Sequence, residues 1–194
     1  MDLILITNPL KRMGEYDIIF TLFDLGLQKL HIRKPSYSKE NIAFFLDQMQ
    51  QEHRQKITIH HHQSLLDQYM LGGLHHTSKT NFIEGLKYPQ SKSFHTIREI
   101  KENKYPYQYG LISPVFDSIT KKNYPAKFSE NELTDVIQSS SIPLYALGGI
   151  DVQNIDKIKR LGFSGTVVMG AIWKEENTCK IVDKFKRLQE KCNG

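Results

Sequence analysis

Cysteines and long hydrophobic runs are both scarce in this sequence. Its two cysteines, Cys179 and Cys192, fall in the last helical stretch, which predicts reduced thiols and a cytoplasmic protein. No apolar run approaches the roughly 20 residues of a membrane span. The first residues also lack the basic region and cleavage site of a signal peptide. We therefore expect neither secretion nor a membrane partner.

Signatures of nucleic-acid binding are missing as well. The net charge of +5 is modest, and the chain has no arginine-rich run and no zinc-finger spacing. A mild positive field suits a small phosphorylated ligand, so we expect small molecules rather than nucleic acid as partners. Hydrophobic content of 39% with 24% charged residues indicates one globular domain over residues 1–194. The sequence leaves open whether the chain forms a homodimer.

Two short apolar runs, each ending at glycine, flank a helical pattern between residues 143 and 173. The runs and their glycines are Leu144–Leu147 with Gly148 and Gly149, and Thr166–Met169 with Gly170. A right-handed βαβ unit makes these strands parallel, so both glycine turns lie at the carboxyl end of the sheet. Glycine lets an anion approach backbone amides closely. We therefore expect a phosphate site rather than turns alone, formed by Gly148, Gly149, Met169 and Gly170.

Six further strands precede this unit. They are predicted at residues 3–7, 29–33, 56–60, 74–76, 91–95 and 107–112. Helical patterns mostly alternate with them, although residues 77–90 indicate only a loop or a shortened helix. Eight alternating strands indicate a small single-domain (β/α)8 TIM barrel. An open doubly wound sheet is the main alternative, but no G-x-G-x-x-G turn follows the first strand.

Seven of the eight histidines fall at or just beyond the ends of predicted strands two to five. They are His31, His60, His61, His62, His75, His76 and His95. Histidine changes charge near neutral pH, so this rim predicts proton transfer or metal binding. Neighbours on a strand point to opposite faces, so about half should face the mouth. Because no obvious carboxylate accompanies them, we favour hydrogen-bonding or acid–base roles over a zinc site and assign no metal ligand.

The loop after the sixth predicted strand carries hydroxyl and ammonium groups close together. These are Ser118, Thr120 and Lys121. Such a set suits a phosphate or diphosphate. Arg33, Lys34 and Ser93, from strands two and five, would complete the same pocket.

Five segments, taken together in order and spacing, resemble the thiamine phosphate synthase and thiazole tautomerase (TenI) family over nearly the whole chain. Residues 109–121 resemble the family's DYxxxGPxFxTxTK, and residues 142–150 resemble its IPxxAxGGI. Residues 73–75 resemble GxH. Residues 31–33 stand where the family has Q-x-R, and residues 93–95 stand where it has S-x-H.

The resemblance implies a reaction and a set of binding residues. In the synthase, a pyrimidine diphosphate loses diphosphate with magnesium help, and the nitrogen of a thiazole phosphate attacks the carbon left behind. Gly149 and the amides near Met169 and Gly170 would then hold the thiazole phosphate. The resemblance implies that Arg33, Ser93, Thr120 and Lys121 hold the diphosphate. Further candidates for binding the substrate or its diphosphate are His31, Lys34, His60 and Ser118.

Departures from the family pattern keep three functions open. The family's Asn-Asp after strand three is His60-His61 here, and its second magnesium aspartate falls at Thr80. Magnesium prefers oxygen ligands, so Mg²⁺ is poorly supported, and no other cofactor is expected. The tautomerase needs no metal, but its histidine falls at Pro114, so His61 or His75 would move the proton. The third function is a non-catalytic barrel that binds thiazole or thiamine phosphate. Candidate catalytic residues are His61, His75 and Lys121.

Overall fold

Eight short strands pair in chain order and close into a barrel. The computed structural model describes residues 1–117 and 126–194. Every strand pair within it is parallel, including the pair between the first strand and the last. The strands are β1 Asp2–Ile6, β2 Lys29–Ile32, β3 Ile57–Ile59, β4 Gly73–His76, β5 Gln90–Phe94, β6 Tyr109–Ile112, β7 Leu144–Leu147 and β8 Gly165–Val168. The predicted (β/α)8 barrel is therefore confirmed.

Helices connect the strands around the outside. They are α1 Glu15–Asp24, α2 Lys39–Asp47, α3 Leu65–Tyr69, α4 Ile97–Lys101, α5 Glu130–Ser139, α6 Ile155–Arg160, α7 Gly170–Trp173 and α8 Thr178–Asn193. Ser38 and Ser129 begin α2 and α5, because their hydroxyl oxygens accept hydrogen bonds from backbone N–H groups of the first turn. Among the described residues, none of the helices is both long enough and apolar enough to cross a membrane.

Two short helical segments were not among the predicted elements. The one-turn helix α7 and the 3-10 helix Gln51–Lys56 were not predicted, because four to six residues are too few to show a helical period. Residues 77–89 contain no helix, and strand β5 begins directly after them.

The core has two layers, one between the strands and the helices and one inside the barrel. Apolar faces of the helices pack on the strands in the outer layer, as Leu22 of α1 and Phe185 of α8 illustrate. Inside the barrel, a second apolar cluster consists of Ile4, Ile6, Tyr109, Leu111, Tyr145 and Val167. The side formed by β2 to β5 instead buries polar side chains. These include His31, Thr58, His75 and Ser91.

Candidate active site

The Gly148–Gly149 turn follows strand β7 at the carboxyl end of the barrel. Both glycines adopt positive φ, +96° and +67°, a conformation that L side chains rarely adopt. A Cβ on Gly148 would lie 2.8 Å from Pro114 Cα, and a Cβ on Gly149 would overlap the Asp117 carbonyl oxygen. Glycine is therefore required twice here, because the turn touches the chain that leaves strand β6.

Two hydrogen bonds fix this contact between the β6 loop and the end of β7. The Val115 N–H donates to the Leu147 carbonyl at 3.0 Å, and the Phe116 N–H donates to the Gly148 carbonyl at 3.1 Å. The first residues of the β6 loop thus extend alongside the glycine turn. The segment that follows contains the predicted Ser118, Thr120 and Lys121, which lie outside the described residues.

The glycine turns after β7 and β8 are neighbours. Leu147 and Val167 pair in register, so the ends of these two strands lie side by side. Met169 precedes the one-turn helix α7, and Gly170 is its first residue. The four residues predicted to hold a phosphate are thereby brought to adjacent strand ends; that they bind phosphate stays a prediction.

Three histidines from successive strands meet inside the barrel mouth. His31, His60 and His75 are 0%, 6% and 1% exposed, and their ring centroids are separated by 4.4 to 5.2 Å. His31 Nδ1 lies 3.1 Å from His60 Nε2, and His31 Nε2 lies 2.6 Å from the Tyr109 hydroxyl. We call this set the histidine trio. Together with Tyr109 of β6, the trio connects strands β2 and β4 to His60, the residue that follows β3.

Serine hydroxyls of β5 hold the third ring of the trio. His75 Nδ1 and Nε2 each lie 2.8 Å from a serine oxygen, that of Ser91 and that of Ser93, respectively. Ser93, predicted at the diphosphate, therefore contacts a histidine at the mouth. The sequence-based reasoning missed Ser91 and Tyr109. Strand alternation could have found Ser91, because it lies two residues before Ser93 and so on the same face.

Burial keeps the trio neutral. Desolvation, followed by the nearby His75, lowers the pKa of His31 and of His60 well below 6.5. Desolvation, with smaller contributions from the positive charges of His76 and Arg33, lowers the pKa of His75 from 6.5 to about 3. A ring that resists protonation so strongly is a weak base, which makes His75 a poor proton acceptor at neutral pH.

The other histidines divide between the mouth and the outer layer. His61 is exposed, and desolvation lowers its pKa. His76 points away from the barrel interior: its Nε2 lies 2.8 Å from Gln90 Oε1 and its ring packs against Tyr107. The expected alternation between His75 and His76 agrees with this arrangement. A cavity of about 400 Å³ lies between the loops after β3 and β4, and both His60 and His75 line it.

Arg33 and Lys34 point in different directions. The Arg33 charge lies close enough to His60, His61 and His75 to lower their pKa values. Within residues 1–117 and 126–194 its guanidinium forms no ion pair, so its charge is available at the mouth.

Lys34 requires a correction. Its side chain is 0% exposed, and its ammonium donates to the Glu15 carboxylate at 2.5 Å and to the Leu10 carbonyl at 2.9 Å. Desolvation raises the pKa of Glu15 and lowers that of Lys34, and the ion pair opposes both changes. The expectation that Lys34 binds the diphosphate disagrees with this placement, because its charge is already neutralised inside the protein.

Magnesium does not fit the residues present at the positions where the family pattern has aspartates. Those positions carry His61 and Thr80, and the buried groups beside them are imidazole nitrogens. Mg²⁺ selects oxygen ligands in octahedral geometry, chiefly carboxylates and water. The groups available at this mouth are therefore the chain's own cations and hydrogen-bonding side chains.

The geometry defines a (β/α)8-barrel protein with a two-glycine turn after β7 and a histidine-rich mouth. A family sequence model described as thiamine monophosphate synthase matches residues 91–172. A thiamine phosphate pyrophosphorylase from Bacteroides thetaiotaomicron has a similar structure, with 29% identity and a TM-score of 0.85, covering 100% of this chain and 98% of that one. The resemblance to the thiamine phosphate synthase and TenI family is thereby confirmed.

Curated relatives match a shorter part of the chain. Thiamine-phosphate synthase from Caldivirga maquilingensis is 34% identical over 91 residues, which cover 46% of this chain and 44% of that protein. The Syntrophomonas wolfei synthase is 38% identical over 80 residues, covering 41% and 38%. The matched segments thus span less than half of these relatives. A Pyrococcus furiosus thiamine phosphate pyrophosphorylase, at 17% identity and a TM-score of 0.83, shares the fold.

Proposed function

We propose that this chain is a transferase of the thiamine phosphate synthase type. It would join hydroxymethylpyrimidine diphosphate to thiazole phosphate and release diphosphate. The observation that supports this most is the Gly148–Gly149 turn, whose two positive-φ glycines stand beside the end of β8. Such a turn exposes backbone amides to a phosphate. Similar proteins from Caldivirga maquilingensis and Bacteroides thetaiotaomicron are named thiamine-phosphate synthase and thiamine phosphate pyrophosphorylase.

The chain's residues would divide the work between the two phosphorylated substrates. Amides of Gly149 and Gly170 would hold the thiazole phosphate and fix the position of the thiazole nitrogen. On the other side of the mouth, Arg33 and, from the sequence, Lys121 would balance the charge of the diphosphate. The C–O bond to the diphosphate breaks with its electron pair, and the thiazole nitrogen's lone pair forms the new C–N bond. Cations beside the leaving group favour this step.

A TenI-like thiazole tautomerase is the second candidate, favoured by the histidines at the mouth. His60 and His75 line the cavity with ring centroids 4.4 Å apart. The neutral state of His75 and its very low pKa argue against it as the base. The exposed His61, at the rim of the same cavity, is the better proton carrier. This reaction would need no metal.

The two reactions separate in one set of assays. Purified full-length chain is incubated with both precursors, with and without magnesium, and thiamine phosphate and diphosphate are measured. Formation of both products supports the synthase proposal. Isomerisation of the thiazole carboxylate phosphate without thiamine phosphate, abolished by His61→Asn, supports the tautomerase instead. Binding of thiazole phosphate with neither activity would leave a non-catalytic binding barrel.

Arg33 gives a residue-level test of the synthase proposal. Arg33→Gln keeps a polar side chain but removes the charge. We expect kcat/KM to fall at least ~10-fold, the loss that corresponds to removing one charge-assisted hydrogen bond. Arg187→Gln removes a cation from the exposed face of helix α8 and serves as the matched control. Equal activity of the two variants would contradict the role of Arg33.

A further inference from the structure

The histidine trio has a geometry that suits more than hydrogen bonding. One ligand nitrogen from each of the three rings can be chosen so that all lie within 4.8 Å of one another. In a tetrahedral site with metal–nitrogen bonds of 2.0–2.1 Å, neighbouring nitrogens are about 3.3 Å apart. His31 Nδ1 and His60 Nε2 already approach that separation at 3.1 Å. Ring movements of no more than ~1.5 Å would bring the whole set into coordination.

We propose that His31, His60 and His75 form a three-imidazole site for a transition-metal ion of the Zn²⁺ class. The ligand type selects the ion, because imidazole suits Zn²⁺, Co²⁺, Ni²⁺ and Cu²⁺, whereas Mg²⁺ selects oxygen. This site goes beyond the proposed function and does not depend on it. Two of its three ligands, His31 and His60, stand where the family pattern has glutamine and asparagine.

Supporting groups are in place around the rings. When His31 ligates through Nδ1, its Nε2–H donates to the Tyr109 oxygen, 2.6 Å away. When His75 ligates through one nitrogen, the other N–H donates to a serine, because Ser91 and Ser93 lie 2.8 Å from its two nitrogens. Metal-bound histidines usually have such a partner on the second nitrogen, which fixes the ring and its tautomer. Burial also keeps the rings neutral, the form that binds metal.

The fourth coordination position faces the mouth. The cavity of about 400 Å³ is lined by His60 and His75, which provides both a route for the ion and room for an outer ligand. The trio contributes no negative charge, and the Arg33 charge lies nearby. An oxygen donor, either water or an anion, therefore completes the site, as in metal centres that keep one position open.

Metal binding by the untagged full-length chain tests this site directly. After treatment with a chelator, the protein is titrated with Zn²⁺ in a calorimeter and with Co²⁺ while visible absorption is recorded. We expect one ion per chain, the intense absorption of tetrahedral Co²⁺, and a higher melting temperature with Zn²⁺. Absence of stoichiometric binding would overturn the proposal.

Variants locate the ion. Loss of an outer partner typically weakens a metal site ~10–100-fold, so Tyr109→Phe should fall in that range, and His31→Gln and His75→Gln should exceed it. His76→Gln changes the next residue of the same strand, on the opposite face, and should leave affinity unchanged. Unchanged affinity in His75→Gln would reject the site, as would loss only in variants of His61 and His62, the two residues that follow His60.

A crystallographic measurement covers the case in which the glutamine variants do not fold. Crystals of the unaltered chain soaked in Zn²⁺ are measured at the zinc absorption edge. An anomalous peak among His31, His60 and His75 supports the site. A peak elsewhere, or none, shows that the three rings form only a metal-free hydrogen-bond network.

Discussion

Replacing Gly149 by alanine tests the proposed anion site at the end of strand β7. At φ +67° an L-residue costs about 1–2 kcal/mol, and the added Cβ would also overlap the Asp117 carbonyl oxygen. Because that oxygen belongs to the backbone, the turn or the β6 loop must shift. A shifted turn loses at least one amide–phosphate hydrogen bond, and such bonds are worth about 1.5–3 kcal/mol. We therefore expect thiazole phosphate to bind at least ~10-fold more weakly, as measured by calorimetry.

Gly162→Ala supplies the matched control. Gly162 also has positive φ, +89°, but an added Cβ would meet only Ile137 Cγ2 at 3.5 Å, an ordinary contact. It follows helix α6, at the end of the barrel opposite the mouth. A backbone cost of about 1–2 kcal/mol should lower its melting temperature by roughly 2–8 °C and leave ligand affinity unchanged. If folded Gly149→Ala binds thiazole phosphate as tightly as Gly162→Ala does, the assignment of the turn to phosphate is refuted.

Three further predictions concern stability. Glu15→Gln should lower the free energy of unfolding, measured by urea denaturation, by ~3–5 kcal/mol because it leaves the buried Lys34 charge unpaired. Glu15→Leu combined with Lys34→Met removes both charges and should recover most of this loss. Equal losses in the two variants would contradict the importance of the ion pair. The pKa of His75 falls from 6.5 to about 3 on folding. The contribution of His75 to the free energy of unfolding is therefore complete above pH ~6.5, and below that pH it declines by up to ~1.4 kcal/mol per pH unit. Urea denaturation at pH ~7.5 and ~5.5 should therefore differ less for His75→Gln than for the unaltered chain. Gly165→Ala should cost ~1–3 kcal/mol in thermal unfolding, because its Cβ would overlap the Tyr145 ring inside the barrel; an unchanged melting temperature would show that the ring can move.

The barrel itself could be predicted because most strands contain apolar residues and end at marked positions, although β4 and β5 are largely polar. Leu144–Leu147 ends at two glycines, and the first strand ends close to Asn8 and Pro9, so local chemistry marks the boundaries. Alternation along the chain then fixed the strand count and the barrel class. The one-turn helix α7 was not predicted, because a single turn is too short to show a helical period in the sequence.

The candidate site was predictable where a single strand or a βαβ unit decides which residues meet. Alternation along β4 separated His75 from His76 correctly. By contrast, Lys34 pairs with Glu15 of helix α1, a contact set by how that helix packs on the barrel. The convergence of His31 with His60 likewise depends on the register between two strands. Neither the Lys34–Glu15 contact nor the His31–His60 contact can be predicted from the spacing of these residues along the chain.

The polar half of the barrel interior distinguishes a functional arrangement from a merely stable one. Apolar side chains fill the other half, as Ile4 and Val167 do, so the fold has no need of buried imidazoles. Burying polar groups costs stability unless they form hydrogen bonds, and the trio does so between His31 and His60 and with Tyr109, Ser91 and Ser93. A network that demands so many matched partners is costly to keep for packing alone. The trio lies at the barrel mouth near Arg33, whose guanidinium forms no ion pair with any residue in 1–117 or 126–194. This arrangement supports the proposal that these residues serve a ligand in the mouth.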